Sequence, residues 1–279
     1  MILKYIFRHT NPDFLNRDLE KLTPKDIMFR KAIYHSGFKF GLLLLSAITF
    51  IGVFVPFFVD MSPYDQDISK RLLPPVWSEG GSWQYIFGTD GNGRDYLARI
   101  IYGTRVSLTI GIGAATVGML IGVTLGVIAG YFGGIVDQVV SYILTCQLAL
   151  PGILFLLTII SIVGSSLTVV ILVIGVLHWT LFLVVTRAAT QRIRNLDYIT
   201  AANAIGARKT DIIFTDILPN VLNQIIVIFT LEVGVAILAE ATISFLGLGI
   251  QPPTPSWGVL IAEGKEAIFF PVSYTHLTL

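Results

Sequence analysis

The sequence predicts an all-α fold, a polytopic bundle of transmembrane helices, on three observations. Hydrophobic residues make up 54% of the 279 and charged residues only 13%, with a mean hydropathy of +0.75. Soluble domains carry about 25% charged residues, so this chain cannot cover a water-facing surface. Five apolar segments are each long enough to cross a bilayer: Phe38–Val59, Val106–Ala129, Val139–Ile162, Leu167–Thr186 and Val221–Leu246. A crossing takes about 20 residues at about 1.5 Å each. Between these segments the charges gather in loops. Inside lipid the backbone must satisfy its own hydrogen bonds, so all five segments are expected as helices.

The first span follows a basic segment, residues 1–37. It is too long for a signal-peptide core and has no small-residue cleavage site after it, so the N-terminus reads as uncleaved. Eight Lys and Arg residues lie up to Lys39 and five lie between spans four and five, at Arg187, Arg192, Arg194, Arg208 and Lys209. Positive charge is retained on the inner side, so the count favours a cytoplasmic N-terminus. Arg99 and Arg105, before span two, run against it. The net charge of +1 and the lack of a basic run give no reason to expect nucleic acid as a partner. The one cysteine, Cys146, cannot form an intrachain disulfide, and no Cys/His spacing suits a metal.

Span two carries Ala114, Gly118, Gly122, Gly126, Gly130 and Gly134 at four-residue spacing. Such a stripe lies along one face of a helix and lets another helix approach closely in lipid. It reads first as tight packing and second as a surface that slides during a working cycle. The external loop, residues 60–105, is polar and holds Pro63, Pro74, Pro75, Trp77 and Trp83. Within it, Asp90, Arg94 and Asp95 read as a charged cluster that fixes a turn or contacts an outside partner, and Gly88 to Leu108 as a turn leading into an amphipathic helix.

Between spans four and five, residues 187–219 form a loop long enough to hold structure of its own. Asp197 could cap a helix through Ala201, Ala202 and Ala204, Gly206 could end it, and Asp211 begins a second apolar stretch leading to Pro219. Ala202 and Gly206 leave room for a close partner, and apolar residues on such a knob suit docking. From composition alone an ordinary packed loop is the blander reading.

The stretch TAANAIGARKTDIIFTDILP resembles the coupling motif of ABC importer permeases, in which EAA is followed by glycine and an Ile-x-Pro-type ending. Ala201, Ala202, Gly206, Ile217, Leu218 and Pro219 match it, while Thr200 stands where the family usually has glutamate. Two further blocks, FGTDGNGRDYLARIIYGTRVSL and LAEATISFLGLGIQPPTPSWGVLIAEG, resemble segments of dipeptide, oligopeptide and nickel permeases, as does PYD at Pro63 to Asp65. The blocks stand in family order over roughly residues 30–270. The resemblance implies a MetI-like permease fold. It implies a subunit that forms the translocation path for di- or oligopeptides beside a second permease subunit, in a heterodimer. It also implies two ATP-binding subunits and an external substrate-binding protein, with coupling through residues 197–219. ATP would be held by those partners, because this chain has no GxxxxGK[ST] loop; no cofactor of its own and no enzymatic activity are expected. The same fold importing nickel or another small solute is the alternative, as is a membrane scaffold that transports nothing.

A carboxylate in lipid is costly and marks a cavity or a partner. Glu232 and Glu240 in span five are therefore candidates for the translocation path, each with a packing role as its alternative. His178 reads as a packed, hydrogen-bonded residue. No Ser/His/Asp or carboxylate pair has catalytic spacing, so a membrane protease is unsupported. The family's sixth span is missing or altered here: residues 271–279 are atypical, and the 13 residues from Ala267 to Leu279, with Pro271 and His276, are too few to cross.

Overall fold

A computed structural model describes residues 33–59 and 61–265. Residues 1–32 of the basic N-terminal segment and the C-terminal stretch read as too short to cross lie outside the described residues. The chain divides into two compact units, residues 1–60 and 61–279. The first contributes α1 (Ser36–Phe58), whose only buried residue is Gly52. Its Phe, Leu and Ile side chains present the apolar surface that lipid solvates.

The second unit begins with an irregular segment and then α2 (Tyr96–Phe132). Asp95 caps α2 by accepting from the amide N–H groups of Leu97 and Ala98. The amphipathic stretch and span two are thus one helix of 37 residues, starting ten residues before the expected Val106. Inside it, Thr109, Thr116 and Thr124 donate their hydroxyls to the carbonyls four residues earlier, which satisfies them without water.

The third span departs from expectation. Val139–Ile162 is not one helix: α3 (Gly134–Leu148) and α4 (Gly152–Val163) meet at a bend of 83°. The cause is Pro151, which has no N–H to donate and drives Leu150 out of helical geometry. At 15 and 12 residues the halves reach only about 22 and 18 Å, short of about 30 Å of hydrocarbon. Among the described residues four helices are therefore long and apolar enough to cross, and this broken pair makes five if taken as one span.

The fourth span is α5 (Leu167–Leu177) and α6 (Trp179–Arg194), one stretch with His178 at the junction. It extends past Thr186, so Arg187, Arg192 and Arg194 sit on a helix rather than in a loop. After α7 (Asp197–Ala204), the long α8 (Lys209–Phe245) starts two residues before Asp211 and runs without a break through Pro219. A π-helical stretch at Ile212–Ile217 lies just ahead of that proline, with the Leu218 amide bonded five residues back to the Ile213 carbonyl. The wider turn accommodates a ring that an α-helix would clash with. The described chain ends in α9, residues 257–265.

The core of the unit is α2 packed against α5, α6 and α8. The glycines of α2 set the approach to the fourth span. A Cβ on Gly122 would stand 2.3 Å from the Trp179 carbonyl, on Gly126 2.9 Å from the Leu183 carbonyl, on Gly130 2.8 Å from the Arg187 carbonyl, and on Gly118 3.2 Å from the Gly175 carbonyl. Gly134 has open space around it and a φ of +55°, so it belongs to the turn and not to the stripe.

Candidate functional site

Three constellations hold the residues singled out by sequence. The first is the knob formed by α7 and the turn after it. Helix α7 starts with Leu196 as its capping residue and Asp197 as its first helical residue, with no side-chain cap. It ends in a Schellman turn: the Gly206 amide donates to the Asn203 carbonyl and the Ala207 amide to the Ala202 carbonyl. Gly206 has a φ of +83° with nothing within 4 Å of where a Cβ would stand, so its requirement is conformational rather than steric. Ile199 anchors the helix in a cluster with Tyr131, Ile193, Ile212, Ile217 and Val221, and Ala202 and Ala207 pack on the same cluster.

The opposite face is apolar and open. Tyr198, Ala201 and Ile205 fall at i, i+3 and i+7, which is one stripe. Ile205 is 84% exposed, and Phe214 on the following helix is 67% exposed. Thr200 is exposed and turns its hydroxyl back to the Leu196 carbonyl at 3.4 Å. Pro219 is exposed, Leu218 half-buried and Ile217 buried. Ile205 and Phe214 escaped the sequence reading, although the periodicity from Tyr198 gives the stripe.

The second constellation stands between the irregular segment and α9. Asp90 accepts from the Arg94 and Asn92 amides at 3.0 and 2.8 Å, from Arg94 Nε at 2.7 Å and from Arg99 Nη1 at 2.5 Å. Glu263 accepts from Arg94 Nη2 at 3.2 Å and from Arg99 Nη2 at 3.0 Å. Both arginines are buried, and two positive charges face two negative ones. Burial pushes the Asp90 carboxyl up, but the two amide donors and the Arg94 guanidinium outweigh it and hold it below the ordinary range. Asp95 lies apart from this cluster, as the cap of α2. Arg99 and Glu263 join it only through the fold.

Beneath it, Glu240 is fully buried. Its Oε1 accepts from the Ser244 and Ser256 hydroxyls at 2.7 and 2.8 Å, and Oε2 has no hydrogen-bond partner among the described residues. This ties α8 to the segment ahead of α9. Within this subunit Glu240 is buried against Ser244 and Ser256, the packed arrangement that stood beside the translocation path as its alternative.

The third constellation is a cavity of about 800 Å³ between the α3–α4 break, the α5–α6 junction and α8. Glu232 projects from α8, and its Oε2 lies 2.7 Å from His178 Nδ1. Gln147 donates to the Leu177 carbonyl at 2.7 Å and accepts from the Trp179 indole N–H. His178 reaches this place because the small face of α2 lets its backbone sit against Gly118. The broken third span opens the cavity, for Gly152, Ile153, Phe155 and Leu156 line it just past Pro151.

The family described as "Binding-protein-dependent transport system inner membrane component" matches residues 122–278, so the match runs beyond the point near Pro271 where the pattern reads as lost. The di/tripeptide transport system permease protein DppC of Pseudomonas aeruginosa is 34% identical over 246 residues, covering 88% of this chain and 81% of that protein. The dipeptide transport system permease protein DppC of Haemophilus influenzae is 38% identical over 229 residues, with 82% and 78% covered. The glutathione transport system permease protein GsiD of Pectobacterium atrosepticum is 36% identical over 253 residues, with 90% and 81% covered. A chain with several apolar spanning helices and this similarity over most of its length belongs to the family of inner membrane components of binding-protein-dependent transport systems, as the permease subunit of an ABC importer.

Proposed function

We propose that this subunit lines a path for short peptides and takes its driving force through α7 and the Gly206 turn. The observation that carries the reading is the knob itself. An apolar stripe, Tyr198–Ala201–Ile205, stands in the open on a helix whose other face is anchored by Ile199. Such a surface suits the partner that supplies ATP energy. Because α7 is bonded into the same cluster as Ile212, Ile217 and Val221 of α8, a displacement of the knob passes directly into a spanning helix. The residues assigned to coupling are Thr200, Ala201, Ala202, Gly206, Ile217, Leu218 and Pro219. Three relatives named for dipeptide, di/tripeptide and glutathione transport support a peptide cargo.

The working assembly in this reading pairs the chain with a second, similar permease, two ATP-binding subunits and an external substrate-binding protein. The N-terminus and the knob lie in the cytoplasm. Of the two residues that run against that orientation, Arg99 is paired with Asp90 and Glu263, and Arg105 still counts against it. The test is Ile205→Asp, a change at an exposed position that leaves the core untouched. Purified membranes carrying I205D should retain the subunit but lose co-purifying ATPase and ATP-driven dipeptide uptake. Full uptake with an unchanged ATPase yield would overturn the assignment.

A further inference from the structure

We infer that the cavity at the α3–α4 break is a station for a ligand that presents a primary ammonium group, and that Glu232 receives it. This rests on the peptide reading above and specifies which end of the peptide the site grips. The volume of about 800 Å³ falls within the roughly 300–1,000 Å³ typical of small-molecule sites. The wall is mostly aliphatic and aromatic, with Gln147, His178, Thr180, Glu232 and Thr242 as its polar side chains. Most of these are spent internally. Gln147 is held by Trp179 and the Leu177 carbonyl. Thr242 donates to the Leu238 carbonyl at 2.7 Å. Glu232 Oε2 is held by His178, while Oε1 takes no hydrogen bond from the described residues.

A carboxylate in a water-poor wall is costly unless a cation or several donors meet it. His178 Nδ1 orients Glu232 through one contact at 2.7 Å and leaves the second carboxylate oxygen facing the cavity without a donor from the described residues. An ammonium supplies both the charge and three N–H donors, and hydrogen bonds between ions are about twice as strong as neutral ones. No Lys or Arg is among the described residues that line the cavity. The site therefore offers a carboxylate to the amino end of a peptide and no charged side chain among the described residues to its carboxylate. Recognition should require a free amino terminus and tolerate a blocked carboxyl terminus.

Cys146 lines the same cavity, is exposed, and is the only cysteine of the chain. Its alkylation by N-ethylmaleimide, followed by mass spectrometry of the peptide that contains it, reports occupancy without any transport step. The measurement uses the whole nucleotide-free transporter without its external binding protein, so that only the membrane subunits select. Dialanine and dialanine amide should slow the labelling several-fold, and N-acetyl-dialanine should leave it unchanged. In Glu232→Gln, which keeps a partner for His178, protection should need at least tenfold more dialanine, and Glu232→Asp should recover part of it. Equal protection by the acetylated peptide, or an unaltered E232Q, overturns the ammonium site. If the intact transporter takes up dialanine yet no peptide protects Cys146, the site fails and the peptide reading stands. If the intact transporter takes up no dipeptide at all, both fall.

Discussion

Arg99 and Glu263 stand 164 residues apart in sequence, and Arg99 Nη2 donates to Glu263 Oε1 at 3.0 Å. This contact clamps the start of α2 to α9. The Trp257 indole N–H adds a second tie to the Thr104 hydroxyl at 3.2 Å. Breaking a buried ion pair by removing one partner leaves an uncompensated charge, at a cost of about 3–5 kcal/mol. Arg99→Met should therefore lower the melting temperature of the purified transporter sharply. The double variant R99M/E263M should recover part of the loss, because it leaves one acid and one base. A double variant less stable than R99M would refute the clamp.

The same cluster sets an acid limit. The Asp90 carboxyl lies below its ordinary value of 3.8. A group whose folded pKa is depressed contributes stability that is fully present above its unfolded pKa and is lost as pH falls through the folded one. The gap in melting temperature between wild type and Asp90→Asn should be constant from neutral pH down to the ordinary carboxylate range. Below that range it should shrink. A gap that widens in acid would show that Asp90 is not held as an anion.

Glycines of α2 and α8 make an internal control for packing. Gly122→Ala places a methyl 2.3 Å from the Trp179 carbonyl, so α2 and α6 must part. Overpacking of this kind costs about 1–3 kcal/mol. Gly234→Ala meets nothing within 4 Å on a helix and should be neutral or slightly stabilising. Thermal melting of the two variants in one detergent tests the contrast; equal melting temperatures would remove the case for Gly122 as a packing site.

Gly206 tests conformation against space. With a φ of +83° and open surroundings, a branched residue pays about 1–2 kcal/mol for the left-handed backbone and meets no clash. Gly206→Val should loosen the knob and reduce ATP-driven uptake while the subunit remains in the membrane. Gly206→Asn, which tolerates this conformation, should retain more uptake than the valine variant. The reverse order would show that size, not backbone geometry, matters there.

Sequence periodicity and composition were enough to place the knob, the glycine stripe and the first, second, fourth and fifth spans to within a few residues at most ends. These are local properties: hydropathy, helix endings and four-residue spacing read along one strand of chain. The third span failed because its apolar content masked one proline, and a missing N–H weighs more than hydropathy in deciding whether a helix continues. Long loops also shrank, since Arg187 to Arg194 and Lys209 to Asp211 are polar on a helix that only tertiary neighbours reveal as continuous.

By itself, then, the sequence determined that the chain is a lipid-solvated helical bundle with a glycine-ended knob, because those features follow from transfer energy and backbone conformation. Only the tertiary structure decided what its charges do. Arg99 meets Glu263, Glu240 meets Ser256 besides its near neighbour Ser244, and Glu232 meets His178 beside a cavity, and the partners Glu263, Ser256 and His178 are 16 to 164 residues away. The energy of a charge in a medium of low dielectric constant depends on what stands within a few ångströms of it, and no local pattern in the sequence carries that distance.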